Sequence, residues 1–218
     1  LQMELLSHVY SPLLTRHPFF RRYGDADPVA MQRVCLAGVQ RLSLSTGDAL
    51  FTEACSGDQM FFVRTGMLRY FPRRQARSAE SQEEFGSSRD FETARGLSTS
   101  RSNSGLSRGR TLLPMKDFVL EQGDYFCETS LWCPWAHTGT MIAVQMTEVL
   151  ALEAEALSRV TGCRRLVIRS TQRYGAAYVE RLNLQAQEQA SDVCQLPDTL
   201  ITDLAAWAFR SQRHSGHT

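Results

Sequence analysis

The chain has 218 residues, with 24 Lys+Arg against 23 Asp+Glu, a formal net charge of +1. Its 43% hydrophobic and 22% charged residues suit one or two domains with a real buried core. That balance excludes nucleic acid as the main partner, which needs a clearly basic face, and no apolar run reaches the roughly 18–20 residues of a membrane span.

Leu1 to Tyr10 shows no basic start and no uninterrupted apolar stretch, so no signal peptide is expected, and the initial Leu suggests a fragment of a longer protein. Residues 1–20 read as helical: Leu1, Leu5, Val9 and Leu13 fall four apart, with Leu6, Tyr10 and Leu14 in the adjacent row. Pro12 interrupts this pattern, which predicts two short helices divided there. Asp27-Pro28 is a second helix start, an N-cap followed by Pro, and Val29, Arg33, Val34, Leu36 and Ala37 carry it toward Gly38. From Gln40 the period changes to short β-rich runs. Leu42 and Leu44, Leu50-Phe51, Met60 to Val63 and Met67 to Phe71 are separated by turn signals at Thr46-Gly47-Asp48, Ser56-Gly57-Asp58 and Thr65-Gly66.

Residues 73–111 hold nine Ser and eight Arg and almost no aliphatic periodicity. Such a segment cannot bury enough apolar surface to offset its ordering entropy, so it is expected to be a disordered loop. Arg95-x-x-Ser98 and Arg101-x-x-Ser104 match a basic-directed kinase site, a pattern that arises readily by chance in Arg/Ser-rich sequence. Strand patterning resumes at Leu112-Leu113 and runs through Phe118 to Leu120, so the insert interrupts one β domain rather than separating two. Gly123-Asp124, Tyr125-Phe126, the run CETSLWCPWAHTGT and the strand MIAVQ follow, then Glu148 to Leu152 with apolar residues at alternate positions. From Glu155 the pattern is helical; Tyr174, Tyr178 and Leu182 mark an amphipathic helix ending before Pro197. A short helix, Leu200 to Phe209, and a polar tail close the chain. The expected fold class is α+β, mainly β: an antiparallel, jelly-roll-like β-roll with flanking N-terminal and C-terminal helices.

The six cysteines are widely scattered and form no CxxC pair, which favours reduced thiols in a cytosolic setting. Cys127, Cys133 and His137 lie near one another, but their spacing fits no common structural-zinc pattern, so no metal is expected. The chain contains no phosphate-loop or HExxH motif and no Ser/His/Asp grouping, so it does not read as an enzyme and no catalytic residue is expected.

The order of motifs resembles the cyclic nucleotide-binding domain family. Gly47-Asp48-x-Leu50-Phe51, Gly57-Asp58-x-Met60-Phe61-Phe62-Val63 and Gly66-x-Leu68-x-Tyr70 are followed by Leu120-x-x-Gly123-Asp124-x-Phe126-x-Glu128, Leu131-Trp132 and Ala143. The match covers about residues 40–155. It implies a ligand pocket built from Phe126, Cys127, Glu128, Thr129, Ser130, His137 and Thr138. There, N–H groups at a helix start receive the cyclic phosphate, Glu128 binds the ribose hydroxyl, and an Arg neutralises the phosphate. Two positions depart from the family pattern. Cys127 stands where glycine is expected, and His137 stands where the phosphate Arg should be. Losing charged hydrogen bonds of about 1.5–3 kcal/mol implies weak or absent binding of cAMP or cGMP, with no certain cofactor. The missing Arg and the aromatic bulk of Trp132 and Trp135 suggest that a neighbouring residue of the same chain fills the pocket as a built-in ligand.

Leu5…Tyr10-x-Pro12-x-Leu14-x-x-His17-Pro18-Phe19-Phe20 looks like the end of a channel linker. The run Leu131-Trp132-Cys133-Pro134-Trp135-x-His137-x-Gly139 is similar to a protist-like channel variant, and Tyr174-Gly175-x-x-Tyr178-Val179 suits the helix that lids the pocket. The narrower resemblance is thus to voltage-gated potassium and cyclic nucleotide-gated channels. It implies linker helices at 1–26 that join four subunits, a binding-like domain at 27–195, and a short helix with tail at 196–218. It also implies a pore domain in the same chain, a place on the cytoplasmic face of a membrane, and membrane contact only through an upstream region. The alternative within the broader family is a soluble cyclic-nucleotide sensor or protein kinase regulatory subunit. That alternative predicts a pocket Arg and an inhibitory or docking segment, and neither is seen in the sequence.

Overall fold

A computed structural model describes residues 2–73, 118–184, 191–193 and 196–210. Most of the Arg/Ser insert, its two kinase-like sites, Leu112-Leu113, Cys194 and the polar tail lie outside the described residues.

Three helices open the chain: α1 (Gln2–Leu14), α2 (Pro18–Ala26) and α3 (Pro28–Ala37). Pro12 does not divide the first of these, contrary to expectation: the helix runs past it to Leu14. The break comes at 15–17, where the Thr15 N–H and hydroxyl both donate to the Ser11 carbonyl at 2.9 Å. His17 and Asp27 then act as N-caps, their side chains accepting from the N–H groups of Phe19 and Ala30, each with Pro at the first helical position.

The β-roll comprises β1 (Val39–Leu44), β2 (Ala49–Phe51), β3 (Ser56–Gly57), β4 (Gln59–Thr65), β5 (Met67–Pro72), β6 (Phe118–Glu121), β7 (Tyr125–Phe126), β8 (Trp135–Ala136), β9 (Gly139–Ala143) and β10 (Thr147–Glu153). Among the described residues all pairings are antiparallel, in two four-stranded sheets, β1-β10-β4-β7 and β2-β9-β5-β6, plus the pair β3-β8. Ser56-Gly57 is therefore strand rather than turn. β5 pairs with β6 from Met67↔Glu121 to Tyr70↔Phe118, so the strands on either side of the insert belong to one sheet. At the β4–β5 turn Gly66 has φ +93°, and a Cβ there would clash with the Thr147 hydroxyl, so no other residue fits without displacement.

β4 and β10 are apolar on both faces. Met60, Phe62, Leu150 and Leu152 join the helices in one core, while Phe61, Val63, Val149 and Ala151 join Phe51, Leu68, Tyr70 and Met141 inside the roll. The simple alternation expected for Glu148 to Leu152 fails for that reason: helices cover one face and the second sheet covers the other. α4 (Ala154–Gly162), α5 (Ile168–Leu184) and α6 (Asp198–Ala208) complete the helical layer. The helical pattern from Glu155 is split at Cys163–Val167. Among the described residues no helix is long and apolar enough to cross a membrane.

Candidate functional site

The segment after β7 turns sharply. Cys127 takes φ +61° and ψ +32°, the left-handed region that glycine occupies without cost, and a 3-10 turn, Glu128–Leu131, follows. Cys127 thus keeps the backbone shape implied for a glycine, at a cost of about 1–2 kcal/mol. Burial, and then the nearby Asp192 charge, push its thiol well above the usual range.

The opposite wall is the chain between β8 and β9, which pair with other strands and not with each other. Between them His137 stacks face to face on Phe51, with centroids 3.7 Å apart and planes at 6°. Both walls converge on Asp192, a residue with no exposed surface. Its Oδ1 accepts from Trp135 Nε1 at 2.7 Å and stands 3.0 Å from His137 Nδ1. Its Oδ2 accepts from the Tyr70 hydroxyl at 2.8 Å, the Thr138 N–H at 2.8 Å and the Thr138 hydroxyl at 3.1 Å. Its backbone carbonyl accepts from the Cys127 N–H at 2.8 Å. Burial alone would raise the Asp192 carboxyl, but hydrogen bonds from His137, Trp135 and Tyr70 outweigh it and hold the group below the ordinary carboxylate range. Burial pushes the Tyr70 hydroxyl up to about 12 despite its bond with Thr138, and the Asp192 charge adds to the rise.

This is an anion site assembled from a backbone N–H, hydroxyls, an indole and an imidazole, and the anion it holds is the chain's own carboxylate. His137 and Thr138, assigned to the cyclic phosphate by resemblance, both bond Asp192. Nothing in the local sequence around Ser191-Asp192-Val193 announces this role; only the fold brings it 55 positions back to His137.

Glu128 is engaged elsewhere. Its Oε1 accepts from the Tyr174 hydroxyl at 2.7 Å and Trp132 Nε1 at 3.1 Å, and its Oε2 lies 3.0 Å from His17 Nε2. Because His17 Nδ1 accepts from the Phe19 N–H, the ring proton sits on Nε2 and donates to Glu128. This buried group ties the α1–α2 junction, the pocket turn and α5 together. Burial, followed by the Glu128 charge, pushes the Tyr174 hydroxyl well up. The Thr129 hydroxyl meets that of Tyr178 at 3.1 Å, Phe126 stacks on Phe61 at 5.3 Å, and Ser130 Oγ is buried without a hydrogen-bond partner among the described residues. Cys133 is turned elsewhere, its thiol facing the Thr129 carbonyl at 3.8 Å. Glu128→Gln keeps the shape but presents an amide N–H₂ to donors. It is expected to cost about 1–3 kcal/mol in urea unfolding, and an unchanged midpoint would contradict the role of this carboxylate as the junction of three elements.

No family model matches the chain, and no curated protein matches it. Solved structures do. A cyclic nucleotide-binding-like protein from Brucella abortus aligns at 18% identity over 65% of this chain and 96% of its own, with a TM-score of 0.40. The N-terminal domain of a transcriptional regulator from Streptomyces coelicolor aligns at 19% identity over 82% of this chain and 99% of its own, with a TM-score of 0.47. The cAMP-bound PfPKA-R structure aligns at 12% identity over 93% of this chain, with a TM-score of 0.51; the chain spans about half of that structure, 54%. At this identity the likeness to PfPKA-R establishes the fold: an antiparallel, jelly-roll-like roll with flanking helices, of the cyclic nucleotide-binding type.

Proposed function

We propose that this chain is a regulatory module of cyclic nucleotide-binding fold whose pocket is filled by its own Asp192, so that it binds cAMP and cGMP weakly or not at all. The observation that carries this reading is the Asp192 carboxylate, fully buried and bonded by His137, Thr138, Tyr70 and Trp135. A cyclic phosphate carries one negative charge and needs the same donors, so the two anions compete for one place. An intramolecular carboxylate wins that competition through its high effective concentration. Calorimetric titration of the purified chain with cAMP and with cGMP tests it: no saturable heat is expected, and a saturable micromolar isotherm overturns it.

The module belongs, in this reading, to a voltage-gated cation channel, by resemblance potassium-selective, on the cytoplasmic face of a membrane. The linker-like motif through His17-Pro18-Phe19-Phe20 supports this, and the His17–Glu128 bond gives α1 and α2 a direct grip on the pocket turn. The N-terminal helices are then expected to assemble four copies, and the full-length protein to carry six apolar spans with an Arg-rich fourth. A monomer by light scattering together with an upstream sequence lacking those spans removes the channel context and leaves the pocket reading intact. A soluble sensor or kinase regulatory subunit is the second reading, favoured by the fold shared with PfPKA-R; the absence of an Arg at position 137 counts against it.

A further inference from the structure

Three buried groups of different chemistry converge in the filled pocket: Cys127 Sγ, His137 Nδ1 and a carboxylate oxygen of Asp192 all lie within 4.8 Å of one another. We infer that they form a binding site for a zinc-like divalent transition metal, which pins the Asp192 segment in the pocket. The inference rests on the reading that Asp192 fills the pocket, and it names what regulates that occupancy.

The geometry separates this from a nucleophile–base relay. In a relay the thiol and the carboxylate take opposite nitrogens of the imidazole. Here both approach the same one: Asp192 Oδ1 at 3.0 Å and Cys127 Sγ at 3.9 Å from His137 Nδ1. Ligand atoms on a tetrahedral zinc stand about 3.2–3.6 Å apart, given metal–ligand distances near 2.0–2.3 Å, so a small rotation of the thiol brings the three to bonding positions. A thiolate, an imidazole and a carboxylate suit zinc or cobalt and disfavour magnesium or calcium. The outer shell is in place: Trp135 holds Oδ1, while Tyr70 and Thr138 hold Oδ2. The Phe51 stack fixes the ring. Cys127 and Asp192 also border a cavity of about 350 Å³.

Protons balance. On binding, the Cys127 thiol releases one proton to solvent. His137 stays neutral and moves its proton from Nδ1 to Nε2, so that Nδ1 can bond the metal. Nε2, the nitrogen that gains the proton, lies by Gly57, where a Cβ would stand 3.1 Å from it. Cys133, near Cys127 and His137 in the sequence, is not part of this cluster.

The test uses the 218-residue chain equilibrated with zinc or cobalt(II) and freed of excess metal by gel filtration. One metal per chain is expected, with a thiolate-to-cobalt charge-transfer band in the near ultraviolet. Affinity should rise with pH, and both readouts should be lost in Cys127→Ser, a weakening beyond the roughly 10–100-fold that an outer-shell loss causes. Cys127→Gly, compatible with the positive φ at that residue, provides a second variant should the serine form fail to fold, and Cys133→Ser should bind as the unaltered chain does. Sub-stoichiometric metal, no charge-transfer band, or binding indifferent to both Cys127 variants overturns the site. Those results with nucleotide still excluded overturn the metal site alone, whereas saturable cAMP binding by the unaltered chain overturns the reading beneath it.

Discussion

Replacing Asp192 with Ala is expected to lower stability by about 3–5 kcal/mol, the largest effect of any single polar substitution in the pocket. The carboxylate closes hydrogen bonds with Trp135, His137, Tyr70 and Thr138, and without it their donors face a buried void. Water entering from the neighbouring cavity limits the loss, which keeps it well below the sum of the separate bonds. For a chain of this size the loss corresponds to a fall in Tm of about 6–20 °C. The sign of the pH dependence follows from the Asp192 carboxyl being held below its ordinary value. Its contribution is fully present above the unfolded value of about 3.9 and disappears as pH falls through the lower folded value. The stability gap between the unaltered chain and Asp192→Ala should therefore be constant near neutrality and close below about pH 4. Urea unfolding of both proteins across that range reads it; a gap that widens toward acid contradicts the arrangement.

The second large effect is a gain of binding, and it depends on combining substitutions in the right order. His137→Arg alone should not restore nucleotide binding, because the new guanidinium will pair with the buried Asp192 carboxylate and hold the segment more firmly. Asp192→Ala alone vacates the donors but leaves the phosphate without a fixed positive charge. Only the double variant offers both, and it should bind cAMP or cGMP about 10–100-fold more tightly than Asp192→Ala, the worth of charged hydrogen bonds of about 1.5–3 kcal/mol. Cys127→Gly is not required, since Cys127 already adopts the left-handed backbone of the pocket turn. Binding by His137→Arg with Asp192 in place would show that the carboxylate is no barrier.

Much of this architecture can be read from local signals. Asp27-Pro28 marks a helix start because an N-cap and a fixed φ act within a few residues, and Gly66 marks a turn because its positive φ leaves no room for a side chain. The departure at position 137 is equally visible, since family motifs fix its place. What local patterns do not carry is which side chains meet across the fold. Pro12 reads as a break, yet the helix runs past it to Leu14. Glu148 to Leu152 reads as one-sided until α-helices are known to cover the other face. His17 reads as part of a linker motif, yet it bonds Glu128 from 111 residues away. Asp192 stands in a short stretch with no periodicity, and its partners at 70, 127, 135, 137 and 138 lie on three separate segments of the roll. A built-in occupant could be suspected from the missing Arg, but its identity exists only in three dimensions.

The central claim, that the chain's own carboxylate takes the place of a cyclic phosphate, is tested most directly by isothermal titration of cAMP and cGMP into the unaltered chain and the Asp192→Ala/His137→Arg double variant under identical conditions. The account predicts no saturable heat for the unaltered chain and a saturable isotherm for the double variant. A micromolar isotherm from the unaltered chain, matched rather than improved by the double variant, would contradict it.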